Sequence, residues 1–108
     1  MEIVIELPGG RTDLSEPNEF TSFSVRVIGE ASVGELARVV AASGLGRTAP
    51  GGDHVVVEPG ALRRLAAEAV DATWEANFEK MCAYAQSMGW IEEDGGIVAH
   101  VQWGGPTV

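Results

Sequence analysis

Three stretches of the chain alternate apolar and polar residues with a period of two, which is typical of half-buried β-strands. The first runs from Glu2 to Leu7, the second from Phe20 to Ile28 and the third from Ile97 to Trp103. A short run rich in β-branched residues, from His54 to Val57, indicates one more strand. The hydrophobic pattern therefore predicts four strands.

The same alternation assigns each strand residue to one of two sheet faces. The apolar set is expected to face the helices: Ile3, Ile5, Leu7, Phe23, Val25, Val27, Ile97, Ala99, Val101 and Trp103. The opposite set forms what we call the outer face: Glu2, Val4, Glu6, Ser24, Arg26, Ile28, His54, Val56, Val98, His100 and Gln102. This outer face is mixed, since valine and isoleucine alternate there with groups that can ionise or donate hydrogen bonds.

A first helix is predicted to begin at Ser32. Glu35 follows three residues later, the spacing at which an N-cap hydroxyl and an N3 carboxylate satisfy each other's backbone donors. One apolar stripe with helical spacing follows, made of Val33, Leu36, Ala37, Val40 and Ala41. Gly44 or Gly46 is expected to end this helix.

The longest helical signal runs from Pro59 to Met88. Pro59 suits a first helical turn, and Gly89 is placed to end the helix in a left-handed conformation. The apolar face shifts near residues 71–73, so the helix either breaks there or crosses two packing partners. The second half carries an apolar stripe expected to be core: Trp74, Phe78, Met81, Ala85 and Met88. Four carboxylates on its flank are predicted to face solvent: Glu68, Asp71, Glu75 and Glu79.

Glycine, proline and polar residues separate these elements. Residues 8–17 are predicted to form a mobile surface loop, residues 44–52 a glycine-rich linker that carries Arg47, and residues 104–108 a frayed tail. The predicted order is therefore β-β-α-β-α-β. We expect a single small α+β domain over residues 1–108, built as a two-layer sandwich with a four-stranded mixed sheet and the helices packed on one face.

Composition narrows the classes of partner. The 108 residues include 16 acidic and seven basic residues, for a net charge of −9. That charge repels phosphate backbones and anionic membrane surfaces, so neither nucleic acid nor membrane is an expected partner. Cys82 is the one cysteine, which excludes an intrachain disulfide and favours a reducing compartment. With no export signal in the first residues, a cytoplasmic location is expected.

Candidate functional groups lie on the outer face. The residues expected to contact a ligand or partner there are Arg26, His100, Glu6, Gln102 and His54. Arg26 offers a planar fork for a carboxylate, and His100 changes charge near neutral pH. His100 beside Glu6 or Glu2 suits acid–base chemistry, but no nucleophile accompanies the pair, so no catalytic residue is predicted. No cofactor is predicted either. A metal site needs an Asp or Glu beside both histidines, which the spacing does not predict, so no metal is expected.

Two functions fit these observations. The first is a non-enzymatic protein-interaction or subunit module that self-associates as a homodimer. The alternative is a small-molecule-binding or catalytic dimer that uses the outer face around Arg26 and His100, with a small anionic ligand. An enclosed cavity of roughly a few hundred Å³ on that face favours the alternative, and a flat solvated face favours the interaction module.

Overall fold

The computed structural model describes residues 1–7, 9–29 and 32–104. In this part of the chain the α+β class is confirmed, with a mixed sheet of six strands and three α-helices. The elements are β1 (Glu2–Leu7), β2 (Arg11–Ser15), β3 (Ser24–Gly29), α1 (Val33–Ala42), β4 (Gly46–Thr48), β5 (His54–Val57), α2 (Pro59–Ala66), a 3-10 turn (Ala67–Ala69), α3 (Ala72–Ser87) and β6 (Ile97–Trp103).

The strands are ordered β2-β1-β3-β6-β5-β4 across the sheet. β3 lies between β1 and β6 and is parallel to both. The other pairs are antiparallel: β2 with β1, β5 with β6, and β4 with β5. The pairing of β3 with β6 brings residues from the two ends of the chain together, with Ser24 opposite His100 and Arg26 opposite Gln102. The C-terminal strand is therefore central to the sheet.

The prediction of four strands was wrong because two edge strands were assigned to loops. β2 lies inside the predicted loop of residues 8–17, and β4 lies inside the predicted linker of residues 44–52. Each pairs on one side only, with β1 and β5 respectively. An edge strand buries little, so it needs few apolar residues and gives a weak periodic signal. Pro8 and the tail beyond Gly104 lie outside the described residues.

The predicted strand from Phe20 to Ile28 begins four residues later than expected, at Ser24. Local hydrogen bonds hold the preceding segment in another conformation. The Glu19 carboxylate accepts from the Thr21 amide at 2.7 Å and from the Ser22 hydroxyl at 2.7 Å. Such side-chain bonds compete with the sheet ladder, which explains the later start of β3.

The inner sheet face and the three α-helices contribute to one buried hydrophobic cluster. The predicted inner residues of β1, β3 and β6 are buried, apart from two: Trp103 is 42% exposed, and Phe23 precedes β3 and is half-buried. The predicted α3 stripe is buried at Trp74, Phe78, Met81 and Ala85. Met88 is 50% exposed, since the helix has ended at Ser87 and its last turn no longer faces the core.

The predicted start and end of α1 are confirmed, with one half of the predicted reciprocal cap, since Glu35 Oε2 is buried with no hydrogen-bond partner among the described residues. The Ser32 hydroxyl accepts from the Glu35 amide at 3.2 Å. Gly44, at φ 73°, donates to the Ala41 carbonyl, and Leu45 donates to the Val40 carbonyl. These two bonds form a Schellman motif, so Gly44 rather than Gly46 ends the helix.

The long helical signal from Pro59 to Met88 divides into two α-helices, α2 and α3. Of the two predicted outcomes, a break or one continuous helix, the break is the one observed. Ala67 interrupts the helical signal at φ 43°, and the Asp71 carboxylate caps α3 by accepting from the Trp74 amide at 2.8 Å. Gly89, at φ 80°, ends α3 as predicted.

Two of the four carboxylates predicted to face solvent on the flank of this helix have hydrogen-bond partners. Asp71 is the cap of α3, and Glu75 accepts from Arg63 at 2.9 Å. None of the helices in the described residues has the length and apolarity needed to cross a bilayer.

Candidate functional site

The strand register places the polar residues of the outer face in rows across the sheet. One row contains Glu2, Ser24, His100 and His54 on the adjacent strands β1, β3, β6 and β5. The next row contains Arg26 beside Gln102. Glu6 lies in a third row, opposite Arg11 and Ile28. All five candidate residues therefore share the outer face, but they occupy three different rows.

His54 and His100 are brought into direct contact. Their ring centroids are 4.6 Å apart and the rings are nearly perpendicular, at 86°. The Val101 amide donates to the Asp53 carbonyl at 2.9 Å. Asp53 and Val101, which adjoin the two histidines in sequence, are therefore a hydrogen-bonded pair of the antiparallel ladder. His54 and His100 therefore form a non-hydrogen-bonded pair, in which antiparallel strands bring side chains closest.

Arg26 forms an ion pair of its own with Glu2. Its Nε donates to the Glu2 carboxylate at 3.1 Å, with the two side chains 46% and 25% exposed. Glu2 also lies 3.4 Å from the Ser24 hydroxyl, which donates to it. The guanidinium is thus occupied by a carboxylate of the same chain and does not line the cavity beside the histidines.

The segment that follows α3 supplies residues that the strand pattern did not predict. The Val98 amide donates to the Trp90 carbonyl at 2.8 Å, and Ile91 forms an isolated bridge with Ile97. This pairing places the Trp90 side chain beside Val98, on the same face as the histidines. No periodic signal exists for a single residue outside a strand, so Trp90 could have been noticed only as an aromatic residue next to a helix-ending glycine.

A cavity of about 210 Å³ lies at this end of the outer face. It is lined by Phe23, His54, Trp90, Val98 and His100. A second, narrower cavity of about 70 Å³ shares Phe23, Trp90 and Val98 with the first. Its other walls are Phe20, Thr21, Ser22, Met81, Cys82, Tyr84, Ala85 and Ile97. We call the two cavities together the aromatic–histidine cleft.

The rim of the cleft exposes large apolar side chains. Tyr84 is 59% exposed, Met88 50% and Trp90 44%. The rings of Tyr84 and Trp90 meet edge to face, with centroids 6.1 Å apart and an interplanar angle of 72°. Methionine and aromatic side chains are enriched at the contact surfaces of proteins, so this rim is a candidate contact surface as well as the entrance to the cleft.

The wall formed by residues 20–23 is held in place by Glu19. The carboxylate accepts from Thr21 through both its hydroxyl and its amide, and from the Ser22 hydroxyl. These bonds, with the Thr21 hydroxyl first, lower the pKa of Glu19 to about 2. The amino group of Met1 donates to the Glu19 carbonyl at 2.9 Å and to the Ser22 carbonyl at 3.1 Å. This wall of the cleft is therefore tied to the start of β1.

The outer face is covered around Val56, two residues beyond His54 on β5. Val56 is only 7% exposed and lies opposite Arg47 of β4. Arg47 donates to Asp94 at 2.7 Å, and a Cβ placed at Gly96 would lie 2.4 Å from the Val56 side chain. A bond from the Gly96 amide and then the bond from Arg47 lower the pKa of Asp94. The turn of residues 92–96 thus covers the outer face around Val56, whereas Glu6, Arg26 and Gln102 of the same face are exposed outside the cleft.

The groups in the cleft suit binding better than nucleophilic chemistry. Burial raises the pKa of the Cys82 thiol, which disfavours the reactive thiolate form. Within the described residues no group of three or more His, Cys, Asp or Glu side chains is placed to hold a metal ion. What remains is an apolar wall that ends at two imidazoles. In its neutral form each imidazole has one N–H donor and one nitrogen acceptor.

Comparisons with protein-family models, with curated proteins and with solved structures gave no match to this chain. The functional interpretation therefore depends on the geometry of the cleft.

Proposed function

We propose that the protein binds a small molecule in the aromatic–histidine cleft. The observation that carries this proposal is the cavity of about 210 Å³ bounded by both histidines and by Trp90. A concave site with apolar walls and a few convergent polar groups is the usual form of a ligand site. A flat solvated face would have favoured the interaction module instead.

The lining of the cleft suggests the chemistry of the ligand. Even together, the two cavities hold slightly less than the roughly 300–1,000 Å³ that ligand pockets occupy, so the ligand is small. Phe23 and Trp90 offer ring faces to a planar apolar group. The histidine pair offers hydrogen bonds at one end. A compact aromatic molecule with one polar substituent meets these requirements.

The test is a titration with indole and phenol as probes, followed by amide chemical shifts in buffer that contains EDTA. We expect shifts at Phe23, Trp90 and His100, and a loss of binding of about tenfold or more in Trp90→Ala, since an aromatic contact contributes about 1 kcal/mol beyond its buried area. Trp103→Ala is a matched control, because Trp103 is 42% exposed against 44% for Trp90 and lies outside the cleft. Equal weakening in both variants, or shifts confined to α2, would contradict the proposal.

The charge of the ligand is tested in the same way with benzoate. The sequence predicts that Arg26 and His100 together bind an anionic group. The Arg26–Glu2 ion pair and the position of Arg26 outside the cavity argue for a neutral ligand instead. We therefore expect phenol to bind at least as well as benzoate, and Arg26→Ala to leave both affinities within about twofold. A selective loss of benzoate binding in Arg26→Ala would restore the anionic ligand.

A second candidate is the self-associating interaction module. It is favoured by the exposed rings of Tyr84 and Trp90, which meet edge to face at the rim of the cleft, and by exposed Met88, one helical turn beyond Tyr84. Burying such a rim against a second copy would remove apolar surface from water, with Lys80 at the edge of the contact beside Tyr84. The two candidates use the same region, so occupation of the cleft and self-association are expected to compete.

A further inference from the structure

We propose that His54 and His100 together chelate one divalent transition-metal ion of the Ni²⁺, Cu²⁺ or Zn²⁺ type. This goes beyond ligand binding in the cleft and replaces the expectation that no metal is bound. The proposal rests on the contact between the two imidazoles, which does not depend on whether an organic ligand enters the apolar cavity.

The backbone places the two rings for chelation. They stand opposite each other at a non-hydrogen-bonded position of antiparallel strands, with centroids 4.6 Å apart. Metal–nitrogen bonds of about 2.0–2.1 Å bring two imidazole nitrogens to within roughly 3 Å of each other. Because His100 is exposed and His54 half-buried, a rotation of the rings from their edge-to-face arrangement achieves this without moving either strand.

The ligand chemistry selects the metal. Imidazole suits Zn²⁺, Cu²⁺ and Ni²⁺, whereas Mg²⁺ and Ca²⁺ prefer oxygen ligands. Among the divalent ions of this row Cu²⁺ binds nitrogen sites most tightly. Two protein ligands leave further coordination positions to solvent, on the side that the cavity of about 210 Å³ occupies.

The electrostatic surroundings favour a cation. Glu2 lies in the same row of the sheet as the two histidines, beyond Ser24. The net charge of −9 adds a field that concentrates cations near the surface. Arg26 is the nearest basic group on β3, and its charge is partly offset by the ion pair with Glu2.

The test uses Cu²⁺ as the probe in a Cys82→Ser background, which removes the one thiol of the chain. Calorimetry in the presence of glycine as competing chelator is expected to give one ion per chain. The electron paramagnetic resonance spectrum is expected to show hyperfine splitting from two nitrogens. His54→Gln and His100→Gln should each weaken binding by about tenfold or more and leave splitting from one nitrogen, and both changes together should abolish it.

Glu2→Gln is the control for non-specific attraction of Cu²⁺ by a nearby carboxylate. This variant is expected to keep the resonance spectrum with splitting from two nitrogens. Unchanged affinity and spectrum in both single histidine variants would overturn the proposal. So would half an ion per chain accompanied by a dimer, because the site would then need two copies. The indole titration is done in EDTA, so a failure of ligand binding and a failure of metal binding are distinguishable.

Discussion

At the scale of single residues, Glu19 has a structural role that its position in a polar loop conceals. Its carboxylate accepts hydrogen bonds from Thr21 and Ser22, and its carbonyl accepts from the amino group of Met1. The segment that it organises carries Phe20 and Phe23 into the wall of the cleft. A residue in the connection between β2 and β3 thus holds one wall of the candidate site in place.

The depressed pKa of Glu19 predicts how stability depends on pH. Because the pKa is about 2 in the folded protein against an ordinary value of 4.5, ionised Glu19 stabilises the fold fully above about pH 4.5. This contribution is lost as the pH falls from about 4.5 to about 2. Urea unfolding followed across this window should show a smaller loss of stability in Glu19→Gln than in the parent chain.

Glu93→Gln is the matched control for this prediction, since Glu93 is exposed and lies in a turn. It should leave the pH profile unchanged. An identical profile for Glu19→Gln and the parent chain would show that the hydrogen bonds to Glu19 are not maintained in solution.

At the scale of elements, α3 presents a buried aromatic side and a solvated acidic side. Trp74 and Phe78 stack with ring centroids 4.9 Å apart, and each is only 1% exposed. Glu75 lies on the flank, where it forms a partly exposed ion pair with Arg63. The two sides therefore differ strongly in what a truncation removes.

Substitutions in α3 should reproduce this difference. Phe78→Ala is expected to lower the free energy of unfolding by about 3–5 kcal/mol, because it leaves a cavity in the core. Glu75→Ala should cost less than about 1 kcal/mol, the range for an exposed ion pair. Denaturant unfolding of the two variants measures both values. A larger loss for Glu75→Ala would mean that the acidic side, and not the aromatic side, carries the packing.

At the scale of the whole molecule, the cleft is assembled from four separate parts of the chain. Phe23 precedes β3, His54 begins β5, Trp90 follows α3, and His100 lies within β6. The parallel pairing of β3 with β6 and the antiparallel pairing of β5 with β6 bring these parts together. The site therefore exists only when the sheet is complete.

Self-association through the rim of the cleft predicts a sedimentation result. At micromolar concentration the parent chain should sediment with about twice the chain mass of 11.4 kDa. Trp90→Ser should shift the population towards monomer, whereas Trp103→Ser, at nearly equal exposure, should not. A monomer at concentrations up to a few hundred micromolar would remove this candidate. Indole at saturating concentration should also favour the monomer, because it occupies the same region.

The local sequence determined the elements that bury a regular apolar stripe or carry a strong cap. The span of β6, the start of α1 at Ser32 and the end of α3 at Gly89 were all predictable, and the end of α1 was narrowed to Gly44 or Gly46. Each depends on residues close in sequence, through side-chain alternation, a hydroxyl cap or a left-handed glycine. The sharing of one face by Arg26, Glu6, Gln102, His54 and His100 followed from the same alternation.

The tertiary structure decided the order of the strands and their register. The alternation of apolar and polar residues within a strand carries no information on either. Only register shows that His54 lies against His100 while Arg26 pairs with Glu2. The edge strands β2 and β4 form because a neighbouring strand offers hydrogen bonds, even though their own residues are mostly polar. Trp90 enters the site because the chain beyond α3 pairs with β6. These features depend on contacts between residues far apart in sequence, and no local pattern records such contacts.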